Sequence, residues 1–159
     1  MTLTKEAPVE FYVPGESSDF IITVKNETNG FADDIKVDDI ISALTVETID
    51  GTTEQAFSHW VLDVEANDPN TVITRTSATI NEDIEVNIDL APLDTVTFTV
   101  SGDVNQKAVG IIKNTAVMDF NVVTITKEAE LKPELQSVSF EKNIKRWHSR
   151  RKLCCRRRS

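Results

Sequence analysis

The sequence predicts an all-β protein, an immunoglobulin-like antiparallel sandwich of about seven to nine strands. Apolar residues recur at every second position in several short segments, and turn-forming residues separate these segments every eight to twelve residues or so. Only residues 38–44 fit a helical turn. Because each alternating strand has one apolar and one polar face, we expect two sheets that share one core and expose their outer faces.

Four segments carry the alternation most clearly. Their predicted core residues are Phe20, Ile22 and Val24; Trp60, Leu62 and Val64; Ile84, Val86 and Ile88; and Val96, Phe98 and Val100. Further strands are predicted near residues 9–13, 34–37, 71–75, 111–118 and 122–126. The turn signals between them are Pro14-Gly15, Asn29-Gly30, Asp50-Gly51, Asp68-Pro69-Asn70, Pro92 and Ser101-Gly102-Asp103.

The charge divides the 159 residues into two regions. Nine of the 17 basic residues lie between positions 142 and 158, so residues 1–140 hold eight basic against 25 acidic residues, a net charge of −17. A body with this charge repels nucleic acid and anionic membranes. The change in composition marks a boundary at about residue 141. We expect an immunoglobulin-like domain over residues 1–128, a linker over 129–141, and a basic tail, disordered or helical, over 142–159.

No segment has the ~20 apolar residues of a membrane-spanning helix, and the residues after Met1 do not resemble a signal peptide. The chain has two histidines, and its two cysteines, Cys154 and Cys155, are adjacent in the tail. Neither set has the spacing of a metal cage or a catalytic Cys/His pair. We therefore expect no cofactor, no bound metal and no enzymatic activity.

Several motifs, in order across residues 3–118, resemble the bacterial conserved-repeat surface domain, the family known as domain of unknown function 11. They are Leu3-Thr4-Lys5, Tyr12-Val13-Pro14-Gly15-Glu16, Ile21-Ile22-Thr23-Val24-Lys25-Asn26, Gly30-Phe31-Ala32 with Ile35-Lys36-Val37-Asp38-Asp39, Leu90-Ala91-Pro92-Leu93-Asp94 through Val100, and Ile112-Lys113-Asn114-Thr115-Ala116-Val117. Leu93 and Asp94 stand where the family has a glycine turn, and Asp19-Phe20 replaces its Thr-Tyr pair. The resemblance implies a structural or adhesive repeat of a cell-surface or secreted, extracellular bacterial protein.

A second unit of the same kind is predicted to begin at Val138-Ser139-Phe140-Glu141-Lys142-Asn143, one domain length after Lys5. The pattern ends there, and a frameshift, a cloning remnant or a truncated reading frame is expected from about residue 144. The partners implied are adjacent repeats and an adhesion target. The alternative function is nucleic-acid binding by the basic tail with Trp147, which the charge of the body disfavours.

An acidic cluster, a histidine and a group of serines are candidate sites, and each has a structural alternative. Glu27, Asp33, Asp34, Asp38 and Asp39 could offer oxygen ligands to Ca²⁺, although acidic residues on such a body are more often solvated. His59 is expected to be an exposed strand residue. The serines Ser17, Ser18, Ser42, Ser58 and Ser77 lack the surroundings of a catalytic nucleophile.

A fourth candidate is covalent. Asn114 on the closing strand could face Lys5 on the first strand, with Glu85 between them, as in the self-made Lys–Asn amide cross-links of pilin-type sandwiches. The alternative expectation is that Asn114 only hydrogen-bonds the backbone of a neighbouring loop.

Overall fold

The computed structural model describes residues 1–74 and 79–134, and these residues form an antiparallel β-sandwich. Its strands are β1 Thr2–Glu6, β2 Phe11–Tyr12, β3 Ser17–Lys25, β4 Ala32–Asp39, β5 Thr45–Glu47, β6 Thr53–Gln55, β7 Phe57–Ala66, β8 Val72–Ile73, β9 Thr79–Ile80, β10 Ile84–Leu90, β11 Thr95–Val104, β12 Ile112–Phe120 and β13 Val123–Pro133. A 3₁₀ turn, Ile41–Ala43, follows β4 and confirms the predicted helical turn.

Two sheets face each other across one core. One has the strand order β1-β3-β11-β7-β9, and the other has the order β2-β13-β12-β4-β10-β8. All their pairs are antiparallel except β13 with β2, which is parallel. The short hairpin β5–β6 stands apart. The predicted fold class is therefore confirmed.

The core consists of the residues that alternation assigned to it. Eleven of the twelve predicted core residues are buried, and Val64 is half-buried against them. Trp60 lies between the sheets, and its indole Nε1 donates a hydrogen bond of 2.9 Å to the carbonyl oxygen of Glu82. This bond gives the one polar atom of the side chain a partner inside the fold.

The number and limits of the strands differ from the prediction in two respects. Eight strands have five or more residues, as expected, and the short strands β2 and β8 lie within the predicted segments 9–13 and 71–75. The unpredicted strands β5, β6 and β9 have two or three residues and are too short to show an alternating pattern. Strand β13 also continues past residue 128, the predicted end of the domain, because Leu131 is fully buried. The rest of the predicted linker and the basic tail lie outside the described residues.

The two ends of the described chain lie at opposite poles of the sandwich. At the N-terminal pole, Thr2 pairs with Lys25, and the Met1 amino group lies 3.8 Å from the Glu27 carboxylate. Strand β1 runs away from this pole. At the C-terminal pole, Pro133 pairs with Tyr12, whose hydroxyl donates to the Gly110 carbonyl at 2.6 Å.

A buried asparagine organises the N-terminal pole. Asn26 is fully buried, and its Nδ2 donates to the carbonyl oxygens of Gly30, Leu90 and Ala91 at 2.8, 3.2 and 3.1 Å. It thereby joins the β3–β4 loop to the β10–β11 turn. In that turn Leu93 has a φ of 61°, a left-handed conformation that favours glycine, at the position where the resembled family carries one.

Candidate functional site

Three polar side chains occupy core positions at one edge of the sandwich. Lys5 lies two residues after buried Leu3 in β1, Asp39 ends the inward face of β4, and Asn114 lies between buried Ile112 and Ala116 in β12. Because side chains alternate between the faces of a strand, all three must point inward. The cluster therefore joins the edge strand of one sheet to two strands of the other.

One carboxylate oxygen holds the cluster together. The Lys5 Nζ donates to Asp39 Oδ2, and the Asn114 Nδ2 donates to the same oxygen at 3.2 Å. The side chains of Lys5 and Asp39 are 0% exposed. Two nitrogens that share one acceptor oxygen lie within about 6 Å of each other, so the lysine amine and the asparagine amide are neighbours.

Two further contacts complete the surroundings. The Lys5 Nζ lies 5.3 Å from the centre of the Phe20 ring, on the apolar side of the cluster. Asp39 Oδ1 is buried and has no hydrogen-bond partner among the residues that the structure describes. The carboxyl group thus has an unused oxygen in a dry environment, where an unpaired polar atom carries an energetic cost.

Burial shifts the pKa values of both Lys5 and Asp39. Burial lowers the pKa of the Lys5 ammonium below its ordinary value, and the charge and hydrogen bond of Asp39 oppose this only in part. Burial raises the pKa of the Asp39 carboxyl, against the opposing effects of Lys5 and Asn114. Both shifts disfavour the charged forms of the two groups.

Such a cluster does not serve stability well. Replacing a buried ion pair by apolar residues of similar size is often neutral or stabilising, because desolvation offsets the attraction between the charges. Perturbed ionisable groups of this kind are concentrated at sites with a chemical role. A neutral amine, an acid and a carboxamide in mutual contact can exchange protons and form or break acyl bonds.

The structure confirms the expected proximity of Lys5 and Asn114 and corrects the identity of the acid between them. It brings Lys5 and Asn114 together, but the acid between them is Asp39, because Glu85 is exposed on the outer face of β10. Within the described residues, the hydrogen bond that Asn114 donates goes to the Asp39 carboxyl group, where a loop backbone was the alternative expectation. The sequence contains a signal for this role of Asp39, because the alternation Ile35, Val37, Asp39 places Asp39 on the core face of β4.

The same alternation separates the acidic residues considered for calcium. Asp33 and Asp34 are exposed, and Asp38 points outward, 3.6 Å from Lys36. Asp39 points into the core, while Glu27 contacts Thr2 at the N-terminal pole. Within residues 1–74 and 79–134, no three His, Cys, Asp or Glu side chains are placed to hold a metal ion.

The remaining sequence candidates are dispersed. His59 is exposed on the outer face of β7, as predicted. Ser42 donates to Asp83 Oδ2 at 2.8 Å, Ser58 donates to the Asp103 carbonyl at 3.3 Å, and Ser18 is buried in β3. Ser77, Trp147, both cysteines and the proposed start of a second unit lie outside the described residues. In the part of the chain that the structure describes, no helix is long and apolar enough to cross a membrane.

No protein-family model matches the chain, and no curated protein matches it in sequence. Solved structures resemble its fold. Self-complemented MyfA, the major subunit of Myf fimbriae from Yersinia enterocolitica, is 12% identical over 84% of this chain and 99% of that one, with a TM-score of 0.46. The collagen-binding domain of a Staphylococcus aureus adhesin is 9% identical over 80% and 95% of the two chains, with a TM-score of 0.44.

A third similar structure is an enzyme. AvmM, which catalyses macrocyclization in alchivemycin A biosynthesis, is 9% identical over 86% of this chain and 91% of that one, with a TM-score of 0.50. At these identities the likeness concerns the fold alone.

Proposed function

We propose that this chain is a non-catalytic structural module, a spacer repeat of a bacterial cell-surface or secreted protein. The observation that carries the proposal is the position of the two ends of the described sandwich. Met1 and Pro133 lie at opposite poles, so successive copies joined end to end would extend in one direction. The acidic body supports the proposal, because its self-repulsion keeps a dense array of such modules dispersed.

The terminal strands are suited to this role. Strand β1 pairs with β3 along its whole length, and nine consecutive residue pairs hold β13 to β12. A force applied between the two poles would act along β1 and β13. Hydrogen bonds between strands that are pulled along their axes are loaded together and not one after another.

Apolar side chains at both poles support contacts between adjacent repeats. At the C-terminal pole Phe11 and Ile111 are 43% and 54% exposed, and at the N-terminal pole Phe31 and Leu93 are 56% and 60% exposed. Burying these side chains against the next module would favour a stiff joint. Adhesion to a further target belongs to the same proposal, with the module holding the binding partner away from the cell.

The test is the shape of tandem copies in solution. Two and four copies of residues 1–134, joined directly, are compared by small-angle X-ray scattering. Strand β13 has 11 residues, so each copy is expected to add about 35 Å to the maximum dimension. Dimensions that grow by much less than one strand length per copy would contradict a spacer.

A pair of variants tests the joint. Phe11→Ser in every copy is expected to make the array more flexible and to reduce its radius of gyration. Ile80→Ser is the matched control, because Ile80 is 64% exposed but pairs with Val61 at the opposite lateral edge of the sandwich. Equal effects of the two substitutions would show that the poles do not pack together.

A further inference from the structure

The Lys5–Asp39–Asn114 cluster contains the groups that an acyl-transfer reaction needs, with the carboxyl group in contact with both the amine and the carboxamide. A primary amine and a carboxamide are both in contact with one carboxyl oxygen, away from solvent. Asp39 Oδ2 touches the amine that would lose a proton and also the amide nitrogen that would gain one. Three strands of the sandwich hold these groups at fixed distances from one another, and fixed proximity favours a reaction between them.

We propose that Lys5 and Asn114 become joined by an amide bond that the folded protein forms itself, with Asp39 as the group that transfers the proton. The bond is an intramolecular modification that does not depend on the spacer function. It requires no cofactor, oxidant or second protein, because all three reacting groups belong to this chain.

The reaction balances without any external reagent. The lone pair of the neutral Lys5 Nζ attacks the Asn114 side-chain carbonyl carbon, Cγ, and forms a tetrahedral intermediate. Protonated Asp39 donates its proton to Nδ2 and takes up the proton that Nζ loses, so the acid ends the reaction in the form in which it began. The Cγ–Nδ2 bond then breaks, ammonia leaves, and a secondary amide remains between Nζ and Cγ. One N–C bond forms, one breaks, and one molecule of ammonia is lost.

Burial supplies the reactive form of each group. An ammonium ion is no nucleophile, and the removal of Lys5 from water lowers its pKa, which favours the free amine. Burial raises the pKa of Asp39 and favours the protonated acid, which can donate to the departing nitrogen. A surface Lys–Asp–Asn contact would lack both effects and would remain an ordinary hydrogen-bonded cluster.

Asn114 is a better acceptor of the amine than Asp39. Attack on Asp39 would require its own oxygen to leave as water, and it would consume the acid that transfers the proton. The amide of Asn114 is neutral, and its nitrogen already lies 3.2 Å from the acid.

The bond would join the first strand of one sheet to β12 of the other. Strand β1 lies at one edge of its sheet and pairs only with β3 within that sheet, so a single strand holds it there by backbone hydrogen bonds. A covalent link from Lys5 to Asn114 would hold β1 in place and would enclose residues 5–114 in a closed loop. Closing a long loop restricts the unfolded chain and raises the stability of the fold.

Intact-mass spectrometry of the folded full-length chain tests the proposal. The wild-type protein is expected to weigh about 17 Da less than its sequence, the mass of one ammonia. Fragmentation after proteolysis is expected to yield a branched peptide that contains both Lys5 and Asn114. A full sequence mass overturns the proposal. So does a loss of about 18 Da with a branched peptide joining Lys5 to Asp39, which would be a condensation that releases water.

Variants separate the three roles. Lys5→Gln and Asn114→Ala each remove one end of the bond and are expected to restore the full mass. Asp39→Asn keeps the size of the side chain and is expected to leave both ends present but unjoined. Lys113→Gln is the matched control, because Lys113 is exposed on the same strand as Asn114, and it is expected to keep the deficit.

Gel mobility provides a second measurement on the same proteins. In denaturing electrophoresis, the wild type and Lys113→Gln are expected to migrate faster than Asp39→Asn, since a closed loop keeps the denatured chain compact. The wild-type mass decides the question even where a variant fails to fold. A mass deficit that persists in folded Asp39→Asn would overturn the role of Asp39 in proton transfer.

Discussion

At the scale of single residues, the position of a side chain on a strand decides whether it is buried or exposed. Asp38 and Asp39 are chemically identical and adjacent, yet one forms a surface ion pair with Lys36 and the other is buried beside Lys5. The difference follows from the two-residue period of a strand. The same period places His59 in solvent and its neighbour Trp60 between the sheets.

Trp60→Ala is expected to destabilise the domain by about 3–5 kcal/mol, the usual cost of removing a large aromatic side chain from a core. Trp60 is 3% exposed, so truncation leaves a cavity and also releases the carbonyl oxygen of Glu82 from the indole hydrogen bond. Urea denaturation measures the change. His59→Ala is the control, with an expected change within about 0.5 kcal/mol. Equal stabilities of the two variants would contradict a core role for Trp60.

At the scale of elements, the middle of the five-stranded sheet depends on a close approach between β11 and an aromatic ring. Gly102 lies in β11, and a Cβ atom there would stand 2.4 Å from Cγ of the buried Phe57 ring. Phe57 in turn packs against Phe20, with 6.1 Å between the ring centres. A glycine inside a strand usually weakens it, but here the missing side chain makes room for the core.

Gly102→Ala is therefore expected to destabilise the domain by about 1–3 kcal/mol, because the added methyl group must displace Phe57. The thermal midpoint and urea denaturation both report this change. Gly30→Ala is the matched control, since nothing lies within 4 Å of a Cβ atom at Gly30 and its φ is not left-handed. A small effect at Gly102 would mean that the ring moves aside without cost.

At the scale of the whole molecule, the described core ends at Leu131, and the C-terminal charge reversal begins about ten residues later. The acidic body and the basic tail therefore carry opposite charges on separate parts of the sequence. Their separation means that stability and any electrostatic binding by the tail can be tested independently.

Removal of residues 135–159 is expected to leave the thermal midpoint within about 2 °C of the full chain, since every buried residue of the described part precedes the cut. Differential scanning calorimetry measures both proteins in the same buffer. Retention on immobilised DNA at low salt is the accompanying assay for the tail. A fall of many degrees would show that the removed residues contribute to the core.

The sequence by itself determined the fold class and most of the core. Alternation with a period of two needs only local information, because each strand must present one face to the interior. That was sufficient for Phe20, Trp60 and Phe98, and for the outward position of His59. It was insufficient for β5, β6 and β9 and for β13 beyond residue 128, where too few residues alternate to form a pattern.

Only the tertiary structure decided which polar groups meet. Lys5, Asp39 and Asn114 lie on three strands in two sheets, and no local pattern specifies how those strands align. The sequence suggested Lys5 and Asn114 but supplied Glu85 as the acid. Pairing between sheets depends on the packing of the entire core, so the dry environment that gives Asp39 its chemistry exists only once the sandwich has closed.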